Sequence, residues 1–223
     1  MELYFPSRGS QCRRRISREA QKDLRWWQNM LATAPERSIR QEYRDQVYLW
    51  SDAASTKGLG AYYWDERNSS GQHGSRNSRH NIPNIQPESA FSISLPRYLV
   101  RANEHINTKE LRAVEQSLLY WGSRWRGKKI VMHIDNRAVV YGLQNLTMRG
   151  GSMDVLRRCL LLATNNDLEI EPRWIPTSEN ALADALSRFD YDRIANLAPQ
   201  LVQPTCSLRA RGFLTFNRPV SQL

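Results

Sequence analysis

The most constraining stretch of the chain is Ile130-Val131-Met132-His133-Ile134-Asp135. Its apolar residues run on without alternating, so a strand built from them needs cover on both faces, as a central parallel strand has. A helical pattern from Ala138 to Leu143 follows directly. A covered strand that runs into a helix, with an aspartate at its carboxyl end, is where open α/β sheets place their chemistry.

Upstream, Val47-Tyr48-Leu49-Trp50 ends in Ser51-Asp52 and reads as a buried strand. Gly58 to Trp64 follows after a short connection, which predicts a hairpin. Residues 65–87 are crowded with Ser, Asn, Gly, Arg and His and predict a long surface loop. Phe91 to Leu95 alternates as a third antiparallel strand would, and Pro96 stops it. Asn107 or Thr108 is positioned to cap a helix whose apolar stripe is Leu111, Val114, Leu118, Leu119 and Trp121. Ser152 to Thr164 predicts a further helix, Leu168 to Ile175 a strand, and Ser178 to Ser187 a last helix. The expected class is therefore α/β, in the order β-β-β-α-β-α-α-β-α. Its sheet would be mixed and five-stranded, three strands antiparallel and two parallel, with flanking helices.

Either side of this domain, expected over 47–189, lie simpler segments. Ile16 to Ala32 has helical spacing at Leu24, Trp27 and Leu31, with Ser17 as N-cap, and residues 1–46 read as a helix plus linker. Residues 190–223 lose periodicity, carry three prolines, and read as a tail or linker.

The chain has 223 residues and a formal net charge of +10, and 27 of its 32 basic residues are arginine. Guanidinium forks suit phosphate, so the first partner to expect is nucleic acid. Cys12, Cys159 and Cys206 are odd in number and far apart, which argues against a disulfide framework or a structural zinc site. No run approaches the ~18 apolar residues of a spanning helix. The N-terminal MELYFPSRGSQCRRR lacks the apolar core of a secretory signal. An intracellular protein, nuclear or cytoplasmic, is expected.

Four acids fall where this reading lets them converge: Asp52 ending the first domain strand, Glu110 early in the first domain helix, Asp135, and Asp184 in the last helix. Gathering them costs several kcal/mol of like-charge repulsion, about 4 kcal/mol for one pair at 4 Å and an effective dielectric of 20. Divalent cations offset that cost. Oxygen-only ligands favour Mg²⁺, with Mn²⁺ as substitute, and two such ions suit in-line displacement at phosphorus. Spacing alone leaves open that these acids are ordinary solvated or capping residues.

The segments around them narrow the choice. Trp50-Ser51-Asp52-Ala53-Ala54-Ser55 with Gly58-Leu59-Gly60-Ala61, then Ile106-Asn107-Thr108-Lys109-Glu110-Leu111, His133-Ile134-Asp135-Asn136, and the run from Trp174 to Arg188 ending Asn180-Ala181-Leu182-Ala183-Asp184-Ala185-Leu186-Ser187-Arg188 resemble the type 1 ribonuclease H domain of retrotransposon reverse transcriptases. Long-terminal-repeat and tyrosine-recombinase elements are the nearest in pattern, and the resemblance spans Val47 to Phe189. It implies a two-metal site at Asp52, Glu110, Asp135 and Asp184 that cleaves the RNA strand of RNA/DNA hybrids. Ser55, Gly58, Asn136 and Arg137 become candidate contacts to the hybrid, as do Arg124 and Lys128 in the basic and aromatic segment holding Trp121 and Trp125. Asp23-Leu24-Arg25-Trp26-Trp27 resembles the segment that joins polymerase to ribonuclease H. The rest of a retroelement polyprotein is thus a possible partner, although the chain has no adjacent Asp-Asp pair and no polymerase of its own.

The resemblance has one gap. Relatives place a histidine between the third and fourth acids, whereas His73, His80, His105 and His133 all precede Asp135. A catalytically idle nucleic-acid-binding or interaction module of the same fold is the alternative reading, and a transposase or integrase of that broad fold is a third.

Overall fold

A computed structural model of the chain describes residues 2–7, 10–33, 44–65, 85–98 and 104–202. It divides into two units, Met1–Ile39 and Arg40–Leu223. The smaller unit holds strands β1 (Glu2–Ser7) and β2 (Ser10–Arg15), paired antiparallel, and helix α1 (Arg18–Thr33). Ser17 Oγ accepts the Ala20 amide at 3.2 Å, the N-cap bond expected of it. The hairpin was not expected, because the charges of Arg13, Arg14 and Arg15 hide any period-two pattern.

In the larger unit, β3 (Gln46–Ala53), β4 (Gly58–Asp65) and β5 (Ala90–Ser94) form an antiparallel meander. Helix α2 (Ile106–Trp121) crosses to β6 (Lys129–Ile134), and α3 (Arg137–Asn145) and α4 (Gly151–Asn165) lead to β7 (Glu169–Trp174). The order across the sheet is β5-β4-β3-β6-β7, with β3, β6 and β7 mutually parallel. This is the mixed five-stranded sheet that the sequence predicted.

Each face of the sheet has its own core. Val47 and Leu49 of β3 and Ile130, Met132 and Ile134 of β6 are fully buried, in one cluster with Leu111, Val114 and Leu118 of α2 and Val155, Leu156 and Cys159 of α4. Complete burial of each large aliphatic contributes about 1.5–3 kcal/mol. The opposite face is covered by α5 (Ala181–Arg188) and α6 (Tyr191–Leu197). Tyr62 packs there with Leu182, Leu186, Ile194, Ala198 and Leu201. Gly60 permits the approach of α5, since a Cβ at that position would stand 2.3 Å from the Ser187 nitrogen and 2.6 Å from the Ala183 oxygen.

Three details of the elements differ from the sequence reading. Residues 190–202, read as the start of a tail, form α6 and a 3-10 turn whose Ile194, Ala198 and Leu201 are inaccessible. The apolar spacing is real, but seven helical residues followed closely by Pro199 are too short to show it. The long loop lies outside the described residues from 66 to 84, while Ile85 at its end is buried. Helix α2 is capped by His105, whose Nδ1 accepts the Asn107 amide at 3.1 Å, and not by Asn107 or Thr108. The last helix begins at Ala181, after a 3-10 turn over Thr177–Asn180, with no side-chain bond from Ser178 as its cap.

Candidate active site

The register of the parallel strands sets the site. Trp50 of β3 lies beside His133 of β6, so Asp52 and Asp135, each two residues further, leave the carboxyl edge of the sheet side by side. Glu110 comes in from the second turn of α2. One carboxylate oxygen from each of Asp52, Glu110 and Asp135 lies within 4.8 Å of the others.

Their surroundings raise the cost of charging them. Burial, followed by the charges of Asp135 and Asp184, lifts the Asp52 carboxyl to about 6, although a hydrogen bond from the Ser187 hydroxyl opposes the rise. Glu110 is pushed well above the usual carboxylate range by burial first and by Asp52 and Asp135 next. It accepts the Ala53 amide on the backbone side. Its Oε2 is buried with no hydrogen-bond partner among the described residues. A buried carboxylate oxygen left bare beside two other carboxylates fits a hard divalent cation, which supplies the missing charge and the missing partner together.

Asp184, the fourth predicted acid, is placed differently. It lies close enough to raise Asp52 and Glu110, yet it is outside the three-carboxylate group. Its Oδ1 accepts from Arg188 Nε at 2.6 Å and its Oδ2 from Arg193 Nη1 at 2.5 Å. Arg188 stands four residues on, a spacing that brings side chains together on a helix and that the sequence displayed. Arg193 was out of view because it falls beyond the expected domain end.

The predicted hybrid contacts are scattered around the site. Ser55 is exposed at the tip of the β3–β4 turn, and its carbonyl accepts from the buried Lys109 Nζ at 2.6 Å. Gly58 is internal: a Cβ there would meet the Ile93 oxygen at 2.5 Å and the Phe189 ring at 2.6 Å. Asn136 caps α3, with Oδ1 accepting the Ala138 and Val139 amides and Nδ2 donating to Asn107 Oδ1 at 2.9 Å. Arg137 is exposed, and its guanidinium lies 4.2 Å over the ring of Trp174. Arg124 is exposed in the turn after α2. Lys128 pairs with Asp65, both side chains largely covered. Trp121 and Trp125 are buried against Tyr63 and Phe91 as core aromatics.

His133 stacks on Trp50 with ring centres 4.6 Å apart. Burial, and then Arg173, hold its imidazole down to about 4, so it is neutral at physiological pH. His105 is spent on capping, and His73 and His80 lie outside the described residues.

No protein-family model and no curated protein matches the sequence. Among solved structures, the chain is similar to an N-terminal ribonuclease H domain from Mycobacterium tuberculosis, with a TM-score of 0.46 and 16% identity over 63% of this chain and 95% of that one. A ribonuclease H1 from the halophilic archaeon Halobacterium salinarum gives 0.47 and 18% over 66% and 98%. LC11-RNase H1, solved in complex with an RNA/DNA hybrid, gives 0.45 and 16% over 63% and 92%.

Proposed function

We propose that the chain is a metal-dependent endonuclease that hydrolyses the RNA strand of RNA/DNA hybrids, as part of, or derived from, a retrotransposon reverse transcriptase. The observation that carries this reading is the convergence of Asp52, Glu110 and Asp135 within 4.8 Å at the carboxyl edge of the sheet, with Glu110 Oε2 buried and bare. The four segments that resemble retroelement ribonuclease H give the substrate class.

Asp52, Glu110 and Asp135 would hold Mg²⁺, or Mn²⁺ in its place. When bound, the ion supplies charge for the scissile phosphate and lowers the pKa of a water that attacks it. The protein's own share is positioning. Ser187 fixes the Asp52 carboxylate by its hydroxyl, and the capping of α3 by Asn136 fixes the turn that carries Asp135. Arg137 and Arg124 are free of described acidic partners and exposed, so they can meet backbone phosphates, while Ser55 at its turn is accessible to a minor-groove hydroxyl.

The test is cleavage of an end-labelled RNA/DNA hybrid, with duplex RNA and single-stranded RNA alongside, in Mg²⁺, Mn²⁺ and EDTA, for wild type and Asp135→Asn. Cutting confined to the hybrid, dependent on metal and absent in the variant, is the expected result. Binding should weaken steeply with salt as counterions are released by a +10 chain. A specific observation favours the second reading, a binding module without turnover: Asp184 is taken up by two arginines. A hybrid that is bound and never cut in either metal would establish that reading instead.

A further inference from the structure

Both oxygens of Asp184 are occupied by cations of the protein itself. The carboxylate side chain is 12% exposed, whereas Arg188 is 52% and Arg193 42% exposed. The two guanidiniums come from different helices, α5 and α6, and close on the acid from the solvent side. A cation sharing Asp184 would meet two positive charges at the same oxygens, which disfavours it even when solvent partly screens them. Glu110 is in the opposite condition, buried and without a cationic partner among the described residues.

We infer that Arg188 and Arg193 latch Asp184 away from the metal centre, so that the site takes one divalent cation readily at Asp52, Glu110 and Asp135 and a second only when the guanidiniums let go. This inference rests on the reading of the three acids as a metal centre. The latch makes the two arginines, which touch neither the three-acid group nor a reacting atom, positioning residues for the fourth acid. Their strength sets how far apart the two affinities lie. Arg188 holds Asp184 from within the same helix, while Arg193 ties α6 to it.

The experiment is a titration of Mn²⁺ into the full chain without nucleic acid, read by electron paramagnetic resonance of the free ion and by calorimetry. Wild type, Arg188→Ala, Arg193→Ala, the double variant, and the double variant carrying Asp184→Asn are compared. Wild type is expected to bind one ion, with a second weaker by about tenfold or more. The double variant should tighten the second ion by about tenfold and the first by clearly less, since Arg188 bonds Asp184 directly and reaches Asp52 only through its charge, each single variant falling between. Asp184→Asn should cancel the gain. Identical isotherms for wild type and the arginine variants would overturn the latch, as would a gain that survives Asp184→Asn. If the double variant does not fold, the single variants, which each leave one guanidinium in place, decide between the same two outcomes. A wild type that binds no Mn²⁺ overturns the metal centre and the latch with it, whereas one that binds two ions equally overturns the latch alone.

Discussion

Trp174 Nε1 donates to the backbone carbonyl of Asp135 across 3.0 Å, tying the end of β7 to the end of β6. The indole is 43% exposed and carries Arg137 over one face. An exposed tryptophan adds little to the core, so its bond to Asp135 is better explained by holding the turn that carries this acid than by stabilising the fold. Trp174→Ala should therefore lower hybrid cleavage by about tenfold to a hundredfold, the scale of a 1 Å misplacement. The thermal midpoint should move by only a few degrees, in line with a single hydrogen bond of about 1 kcal/mol. Trp174→Phe, which keeps a ring under Arg137 and loses the donor, should bind hybrid nearly as wild type does and still cut slowly. Cleavage kinetics beside melting curves check this, and unimpaired turnover in both variants would refute it.

Asp52 makes the stability of the metal-free protein pH-dependent. Its carboxyl titrates near 3.8 when unfolded and about 6 when folded. The folded state thus holds its proton more tightly, and stability falls as pH rises through that window. At about 1.4 kcal/mol per unit, the loss is on the order of 3 kcal/mol, complete above pH 6. Glu110, raised in the same sense, extends the decline to higher pH. Melting curves in EDTA should show a lower midpoint at pH 8 than at pH 5, and Asp52→Asn should flatten the difference. Mg²⁺ should raise the midpoint more at pH 8 than at pH 5.

Glu110→Gln separates charge from shape. The amide fills the same space, keeps an acceptor for the Ala53 amide, and removes a buried negative charge beside Asp52 and Asp135. Metal-free protein should gain about 1–3 kcal/mol at pH 8, the usual range for relieving an unsatisfied buried group. Protection by Mg²⁺ should disappear, because one of three ligands is gone. Denaturant unfolding with and without Mg²⁺ measures both effects. A variant that is less stable than wild type in EDTA would show that Glu110 is not under the strain its burial implies.

How far the sequence foretold this site depends on whether each signal was local. The strand pattern at 130–134 and the meander before it were legible, because period and burial reside in contiguous residues. So was the placement of Asp52 and Asp135, which follows once β3 and β6 are adjacent and parallel. Contacts across long separations were not. The Ser187 hydroxyl on Asp52 joins residues 135 positions apart, and no spacing rule marks Ser187 among other helical serines. Asn136, read in the sequence as a hybrid contact, spends its side-chain oxygen on the amides of Ala138 and Val139 as the cap of α3.

The extension of the domain past Phe189 offers a direct check on both core and site. Ile194, Ala198 and Leu201 are fully buried against Leu182 and Leu186 of α5, the helix that carries Asp184. Ile194→Ala removes three buried carbons from a packed interface and should cost about 2–4 kcal/mol. Since α6 also carries Arg193, loosening it should weaken the hold on Asp184 before the sheet gives way. Hydrogen exchange should then show α5 and α6 opening ahead of β3 and β6 in this variant, with cleavage activity surviving below the temperature at which the sheet melts. Truncation after Phe189 takes away all three buried side chains together and should leave α5 uncovered, giving a chain that precipitates or binds a hydrophobic dye. A truncated chain that melts at the wild-type temperature would show that the opposite core, centred on α2 and α4, suffices to hold α5 in place.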